Sequence, residues 1–142
     1  MSNINAPSWF KIIVILAILW NLMGIFNFYI QITLTQEYIS GLAAAEQVLL
    51  KTTPLWINIA FALGVFGGVI GSIGLLIQKA WARVPLLISL ITVFVQMSYW
   101  LFFTTAVEVY GSNTYFMPII IIVVAYLLFS LCNKGIEKGY IT

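Results

Sequence analysis

Four prolines mark the starts of four long apolar runs in this chain: Pro7, Pro54, Pro85 and Pro118. A proline is well tolerated in the first turn of a helix, because its missing N–H would have no intrahelical partner there and its ring presets φ. Each run is close to the roughly 20 residues that a helix needs to cross a bilayer. The sequence therefore predicts four transmembrane helices, at about residues 9–32, 54–77, 82–106 and 115–132.

The composition is that of an integral membrane protein. Of the 142 residues, 63% are hydrophobic and 7% are charged, whereas soluble domains carry about 25% charged residues. A water-soluble fold cannot bury so much apolar surface, and four spans use nearly the whole chain. We therefore predict a single all-α membrane domain over residues 1–142, a bundle of four transmembrane helices in contact with the lipid bilayer.

The residue types that the chain lacks exclude several classes of function. There is no His and no Asp, and Cys132 is the single cysteine. A Ser/His/Asp or Cys/His nucleophile pair and a zinc or haem site with His ligands therefore cannot be built. A net charge of +2 is too small to indicate a nucleic-acid partner. The sequence predicts a non-enzymatic protein with no metal and no cofactor.

The basic residues predict the orientation in the membrane. Five of the six lie at one end of the predicted bundle: Lys11, Lys79, Arg83, Lys134 and Lys138. Only Lys51 lies at the other end. Because Lys and Arg resist translocation, the end with five basic residues is expected to be cytoplasmic. Both termini are therefore predicted to lie in the cytoplasm.

The connection between the first two spans, residues 33–53, is long enough to hold structure of its own. Apolar residues at helical spacing can share one face: Leu42, Ala45, Val48 and Leu49. Glu46, Gln47 and Lys51 fall largely off that face. This pattern predicts a short amphipathic helix lying on the outer surface of the membrane. A plain covering loop is the alternative, which Gly41 favours.

Small residues form a ladder along the second span: Ala60, Gly64, Gly67, Gly68, Gly71, Ser72 and Gly74. Small side chains let membrane helices approach closely. Two interpretations follow, namely packing inside one bundle or a homodimer seam. A glycine-rich phosphate cradle is excluded, because the ladder lies in mid-membrane with no basic residue beside it.

Polar and Trp residues recur at helical spacing in the predicted outer half of three spans. At 1.5 Å rise per residue, Trp20 on the first span and Trp100 on the third both lie roughly 20 Å from the cytoplasmic end. Asn58 enters one turn below the outer end of the second span. The candidate pocket residues are Trp20, Asn21, Asn27, Gln31, Asn58, Gln96, Trp100, Thr104 and Glu108.

This polar layer has two interpretations. The first is a pocket open to the outer face, with Glu108 at its mouth and large aromatic walls suited to apolar or sugar-like ligands. The second is a set of interhelical hydrogen bonds, each contributing about 1 kcal/mol. They correspond to two hypotheses of function. One is an accessory or envelope component that acts by association, as a homodimer or in a larger membrane complex. The other is an oligomeric binder or transporter of a small solute or lipid.

Several segments resemble a group of small four-span membrane proteins of Bacteroidota that are often labelled sugar transporters. They are Pro7-Ser8-Trp9-Phe10-Lys11, Leu19-Trp20-Asn21-Leu22-Met23-Gly24, Pro54-Leu55-Trp56 with the ladder after it, and Glu108-Val109-Tyr110-Gly111. The resemblance covers most of the chain. It implies a multi-pass protein of the bacterial inner membrane and no particular ligand or mechanism.

Overall fold

A computed structural model describes residues 4–142. The regular secondary structure of these residues is helical, with no strand among them. The helices are α1 (Ser8–Ile32), α2 (Gln36–Ser40), α3 (Ala44–Lys51), α4 (Leu55–Leu76), α5 (Arg83–Phe102), α6 (Ala106–Tyr110) and α7 (Phe116–Glu137). Short 3₁₀ helices at Ala80–Ala82 and Ser112–Tyr115 precede α5 and α7. With these turns included, four segments are long and apolar enough to cross a membrane. The prediction of an all-helical chain with four candidate spans is confirmed.

The prolines stand where the long helices begin. Pro7 and Pro54 are the residues before α1 and α4, and both have extended backbone. Pro85 and Pro118 lie in the first turns of α5 and α7. None of these positions removes a hydrogen bond from a helix interior, so the prolines fix the helix starts without a cost in backbone pairing.

The long helices pack in the order α1, α4, α5, α7. Helix α4 packs closely against both α1 and α5, and α5 packs closely against α7. Helices α1 and α7 pack far less closely than these three pairs. The bundle is therefore a chain of three tight helix contacts that is loosely closed between its first and last members.

The small-residue ladder of α4 explains two of the tight contacts. A Cβ at Gly64 would lie 2.9 Å from Val93 Cγ2 of α5, and a Cβ at Gly67 would lie 2.8 Å from the Pro85 carbonyl oxygen. A Cβ at Gly68 would overlap the amide of Asn21 on α1. The ladder is thus filled by neighbours in the same chain, which favours packing inside the bundle over a homodimer seam along this face.

Near the chain termini the four helices meet in a close-packed core, which we call the closed end. It is formed by the buried side chains of Phe10, Val14, Leu75, Leu86, Leu128, Cys132 and Ile141. The last residues fold back to complete it: Thr142 N donates to Gln78 O, and Ala80 N donates to Thr142 O, both at 3.0 Å. Ile141 packs on Gly135. The side chains at this level are therefore enclosed by their neighbours.

Helix α5 ends at Phe102, four residues before the predicted boundary at residue 106. Thr104 Oγ1 donates to Trp100 O at 2.5 Å and accepts from Ala106 N at 3.2 Å. At Trp100 O, the Thr104 hydroxyl takes the place of the backbone N–H that would have continued the helix, as Thr side chains often do. Thr104 and Glu108 therefore lie beyond the end of α5, off the helix that carries Gln96 and Trp100.

The other boundaries lie closer to the predicted ones, except that α7 continues to Glu137, beyond the predicted end at residue 132. Residues 33–53 form two short helices in place of the single predicted one, with a break at Gly41. Thr35 Oγ1 accepts from Tyr38 N at the start of α2, and Glu46 accepts from Ala43 N at the start of α3. These local caps stabilise each short helix separately.

Candidate functional site

A cavity of about 350 Å³ lies between the four long helices, at the end of the bundle opposite the closed end. We call this region the open end. Leu86 and Leu128 line the bottom of the cavity and also belong to the closed-end core. Leu50 of α3 and Thr53, just before α4, complete the wall on the side of the connecting segments.

Six of the nine residues predicted for a pocket line this cavity. They are Trp20, Asn21, Asn27 and Gln31 on α1, and Gln96 and Trp100 on α5. On α1, Trp20, Asn27 and Gln31 recur with Gly24, which also lines the cavity, at spacings of three and four residues, and Asn21 lies at the margin of that face. On α5 the spacing is four, so each set lies on one helix face. The two faces point into the same space because α4 holds α1 and α5 on either side of it.

The other three predicted residues do not line the cavity. Asn58 lies behind it, where its Oδ1 accepts from Gln31 Nε2 at 2.8 Å. Thr104 ends α5 through its bond to Trp100 O. Glu108 is exposed on the short helix α6. Asn58 is therefore a positioning residue for Gln31, and the predicted place of Glu108 at the pocket mouth is not supported.

Gln96 is the central polar group of the cavity. Its side chain is only 6% exposed, and among residues 4–142 it has no hydrogen-bond partner. Its amide atoms keep some accessible surface, unlike the fully enclosed Ser72 hydroxyl on α4, and the space they reach is the cavity. A buried amide without partners costs on the order of 1–3 kcal/mol. Gln96 therefore offers one donor and one acceptor function to whatever enters.

Other polar groups around the cavity act as interhelical bonds. Ser89 Oγ on α5 donates to Gly64 O on α4 at 2.6 Å, and the Gln31–Asn58 bond joins α1 to α4. Asn21 Nδ2 donates to Ala17 O of its own helix at 2.8 Å, and its Oδ1 accepts no hydrogen bond within the described chain. The polar layer is thus divided: some groups hold helices together, while Gln96 faces open space.

The remaining wall is aromatic and apolar. Trp20, Phe61, Tyr99 and Trp100 contribute rings, and Met23, Met97 and Met117 contribute flexible thioethers. Trp100 stacks on Tyr110 of α6 with ring centroids 6.4 Å apart. Tyr99 packs edge-on against Trp56 at 5.1 Å. These contacts fix the orientation of the Tyr99 and Trp100 rings in the cavity wall.

Helix α7 supplies one whole side of the cavity, which the sequence did not indicate. Its lining residues are Met117, Pro118, Ile121, Val124, Ala125 and Leu128. All are apolar, as are Phe116, Ile119, Ile120, Val123 and Leu127, which α7 exposes on its other faces at the same level. Where a helix is apolar on every face, periodicity cannot distinguish the inner face from the lipid face. No signal in the sequence could have assigned this wall.

One titratable group adjoins the site. Partial burial, followed by the nearby carboxylate of Glu46 on α3, raises the pKa of the Tyr110 phenol. Both causes oppose ionisation, so Tyr110 stays neutral over the ordinary pH range. The side chains that line the cavity include no charged residue. A charged ligand would be buried there without a counter-charge, at a large desolvation cost.

Comparisons of this chain with models of protein families, with curated proteins and with solved structures give no match. The cavity and its chemistry are therefore the basis for any statement about function.

Proposed function

We propose that this chain is a membrane-embedded binding protein whose cavity receives a small, uncharged molecule. The observation that carries the proposal is the Gln96 amide, buried and without a hydrogen-bond partner in the described chain, beside a cavity of about 350 Å³. Known small-molecule sites are mostly apolar, with a few placed polar groups that orient the ligand. The walls of Trp, Phe and Met residues around one free amide match that description.

The proposal includes an orientation. Because Lys11, Lys79 and Lys138 lie at the closed end with Ala6 and Ile141, we propose that this end is cytoplasmic and that the cavity lies in the outer half of the membrane. In keeping with the sequence resemblance, the membrane is the bacterial inner membrane. A sugar-like solute and a lipid both remain within the class of uncharged ligands.

Binding is favoured over two other roles. The hypothesis of an accessory protein drew its main support from the small-residue ladder, and those residues contact α1 and α5 of the same chain. A transporter needs a route to both sides, whereas Val14, Leu75 and Cys132 at the closed end are completely buried. Catalysis is not proposed, because the described residues that line the cavity include no carboxylate, amine or thiol that could act with a nucleophile.

Thiol labelling tests whether the cavity is reachable and occupied as proposed. In a Cys132→Ala background, Val93→Cys should react with the small neutral reagent N-ethylmaleimide in detergent solution, because Val93 lines the cavity one turn from Gln96 and its replacement leaves the amide in place. Ser72→Cys is the matched control, because Ser72 is fully buried on α4 away from the cavity. We expect at least a tenfold faster reaction at Val93→Cys, and we expect added 1-octanol to slow that reaction by filling the cavity. Equal rates at the two positions, or no protection by octanol, would refute the proposed binding role.

A further inference from the structure

The cavity has an opening on the side of the bundle, between α1 and α7. These two helices both line the cavity, yet they pack far less closely than the other neighbouring pairs. At the closed end they are tied together, since the Phe10 ring packs edge-on against Tyr140 at 6.3 Å and contacts Gly135. The two helices therefore diverge from the closed end towards the open end.

Residues on both sides of this gap belong to the cavity and to the outer surface at once. Met23 on α1 is 55% exposed, and Met117 on α7 is 54% exposed, and both line the cavity. Asn27 on α1 is also exposed and lines it. A side chain can meet both conditions only at a mouth, so the mouth lies between α1 and α7.

The mouth lies at the depth of the lipid chains. Asn27 is five residues from the end of α1 at Ile32, and Ile121 is five residues from the start of α7 at Phe116. At 1.5 Å rise per residue, both lie about 8 Å inside the ends of their helices. Asn27 has no hydrogen-bond partner within residues 4–142, although an amide in hydrocarbon needs one. Towards the connecting segments, Leu50 and Thr53 close part of the cavity.

We infer that the ligand is an uncharged amphiphile dissolved in the bilayer, which enters sideways between α1 and α7. This rests on the proposed binding function. Its hydroxyl or carbonyl group passes Asn27 and reaches the Gln96 amide, while its apolar chain stays in the gap beside Met23 and Met117. Flexible methionine side chains suit such a passage, because they adapt to chains of different shape. Charged lipids are rejected, since the wall offers no counter-charge.

Tryptophan fluorescence tests the ligand class. A variant with Trp9, Trp56 and Trp81 replaced by Phe keeps only Trp20 and Trp100, both in the cavity wall. In phosphatidylcholine nanodiscs, a monoacylglycerol with a brominated chain should quench this fluorescence in a saturable way at low mole fraction. The brominated fatty acid, ionised at high pH, should quench only in proportion to its mole fraction. Gln96→Leu should weaken the saturable component at least fivefold while leaving the thermal midpoint nearly unchanged.

Cross-linking tests the side entrance. Asn27→Cys with Ile121→Cys, in a Cys132→Ala background, is joined across the mouth by a bismaleimide that contains a disulfide. We expect the linked protein to take up the brominated monoacylglycerol at least tenfold more slowly, and reduction of the linker should restore the rate in the same sample. Unchanged uptake in the linked protein would overturn the side entrance and leave binding intact. Equal quenching by neutral and ionised lipid would overturn the ligand class, whereas absence of octanol protection at Val93→Cys would overturn the binding function itself.

Discussion

At the closed end, four helices pack around the buried side chains of Phe10, Val14 and Cys132, whereas at the open end the same helices enclose about 350 Å³. The difference follows the distribution of side-chain size along α4. Its glycines from Gly67 to Gly74 lie in the half that runs into the closed end. Its first half carries large side chains such as Trp56 and Phe61.

The positions of the glycines explain why the bundle is tightly packed at one end and hollow at the other. Glycines let α5 approach α4 to backbone contact, as at Gly67 and Pro85. Bulky rings at the other end hold the helices apart, and the amides placed there have room to remain unpaired. The closed end then acts as a fixed support for the walls of the cavity.

The largest expected effect comes from adding bulk to the tight half. Gly67→Leu places a side chain against the Pro85 carbonyl oxygen, which belongs to the backbone and cannot rotate away. We expect the free energy of unfolding in detergent to fall by about 3 kcal/mol. Gly68→Leu should cost less, because it meets the Asn21 amide, a side chain that can turn.

The matched control adds the same kind of bulk to the hollow half. Ala125 lies on α7 at the cavity wall, so Ala125→Leu should leave the thermal midpoint unchanged or raise it, while octanol protection is lost. If Ala125→Leu destabilised the protein as much as Gly67→Leu does, the contrast between a packed end and a hollow end would be wrong.

The sequence predicted the fold better than the site. Prolines and run lengths were enough for four helices, because helix starts and bilayer thickness impose strict local rules. Six pocket residues on α1 and α5 were predicted because a polar face stands out in an apolar span. The end of α5 at Phe102 was missed, since a Thr104 hydroxyl bond decides it and the same residue fits a helix interior equally well. The α7 residues that line the cavity were also missed, because none of them is polar.

Two buried serines provide a finer test of the comparison. Ser89, at the cavity, donates to Gly64 O at 2.6 Å, whereas the Ser72 hydroxyl in the packed half has no partner within the described residues. Ser89→Ala should lower the free energy of unfolding by about 1 kcal/mol, because it removes the hydrogen bond that joins α5 to α4. Ser72→Ala should be neutral or slightly stabilising. Equal losses in chemical denaturation of the two variants would show that the hydroxyls are not distinguished in this way.

The smallest expected effect concerns the connecting segments above the cavity. Burial and the Glu46 carboxylate raise the pKa of Tyr110, so the folded state keeps the phenol proton to higher pH than the unfolded chain does. Between the unfolded value of about 10 and the raised folded value, the folded state binds more protons, and stability must therefore fall as pH rises. The effect is small because the side chain is 49% exposed. Thermal midpoints measured from pH 9 upwards should fall less steeply in Tyr110→Phe than in the unmodified protein. The control Tyr115→Phe alters a nearby tyrosine, and its midpoints should follow those of the unmodified protein. Identical slopes for all three proteins would mean that α3 and α6 are not coupled through Glu46 and Tyr110. The connecting segments above the cavity would then be held less tightly than the packing of Trp100 on Tyr110 indicates.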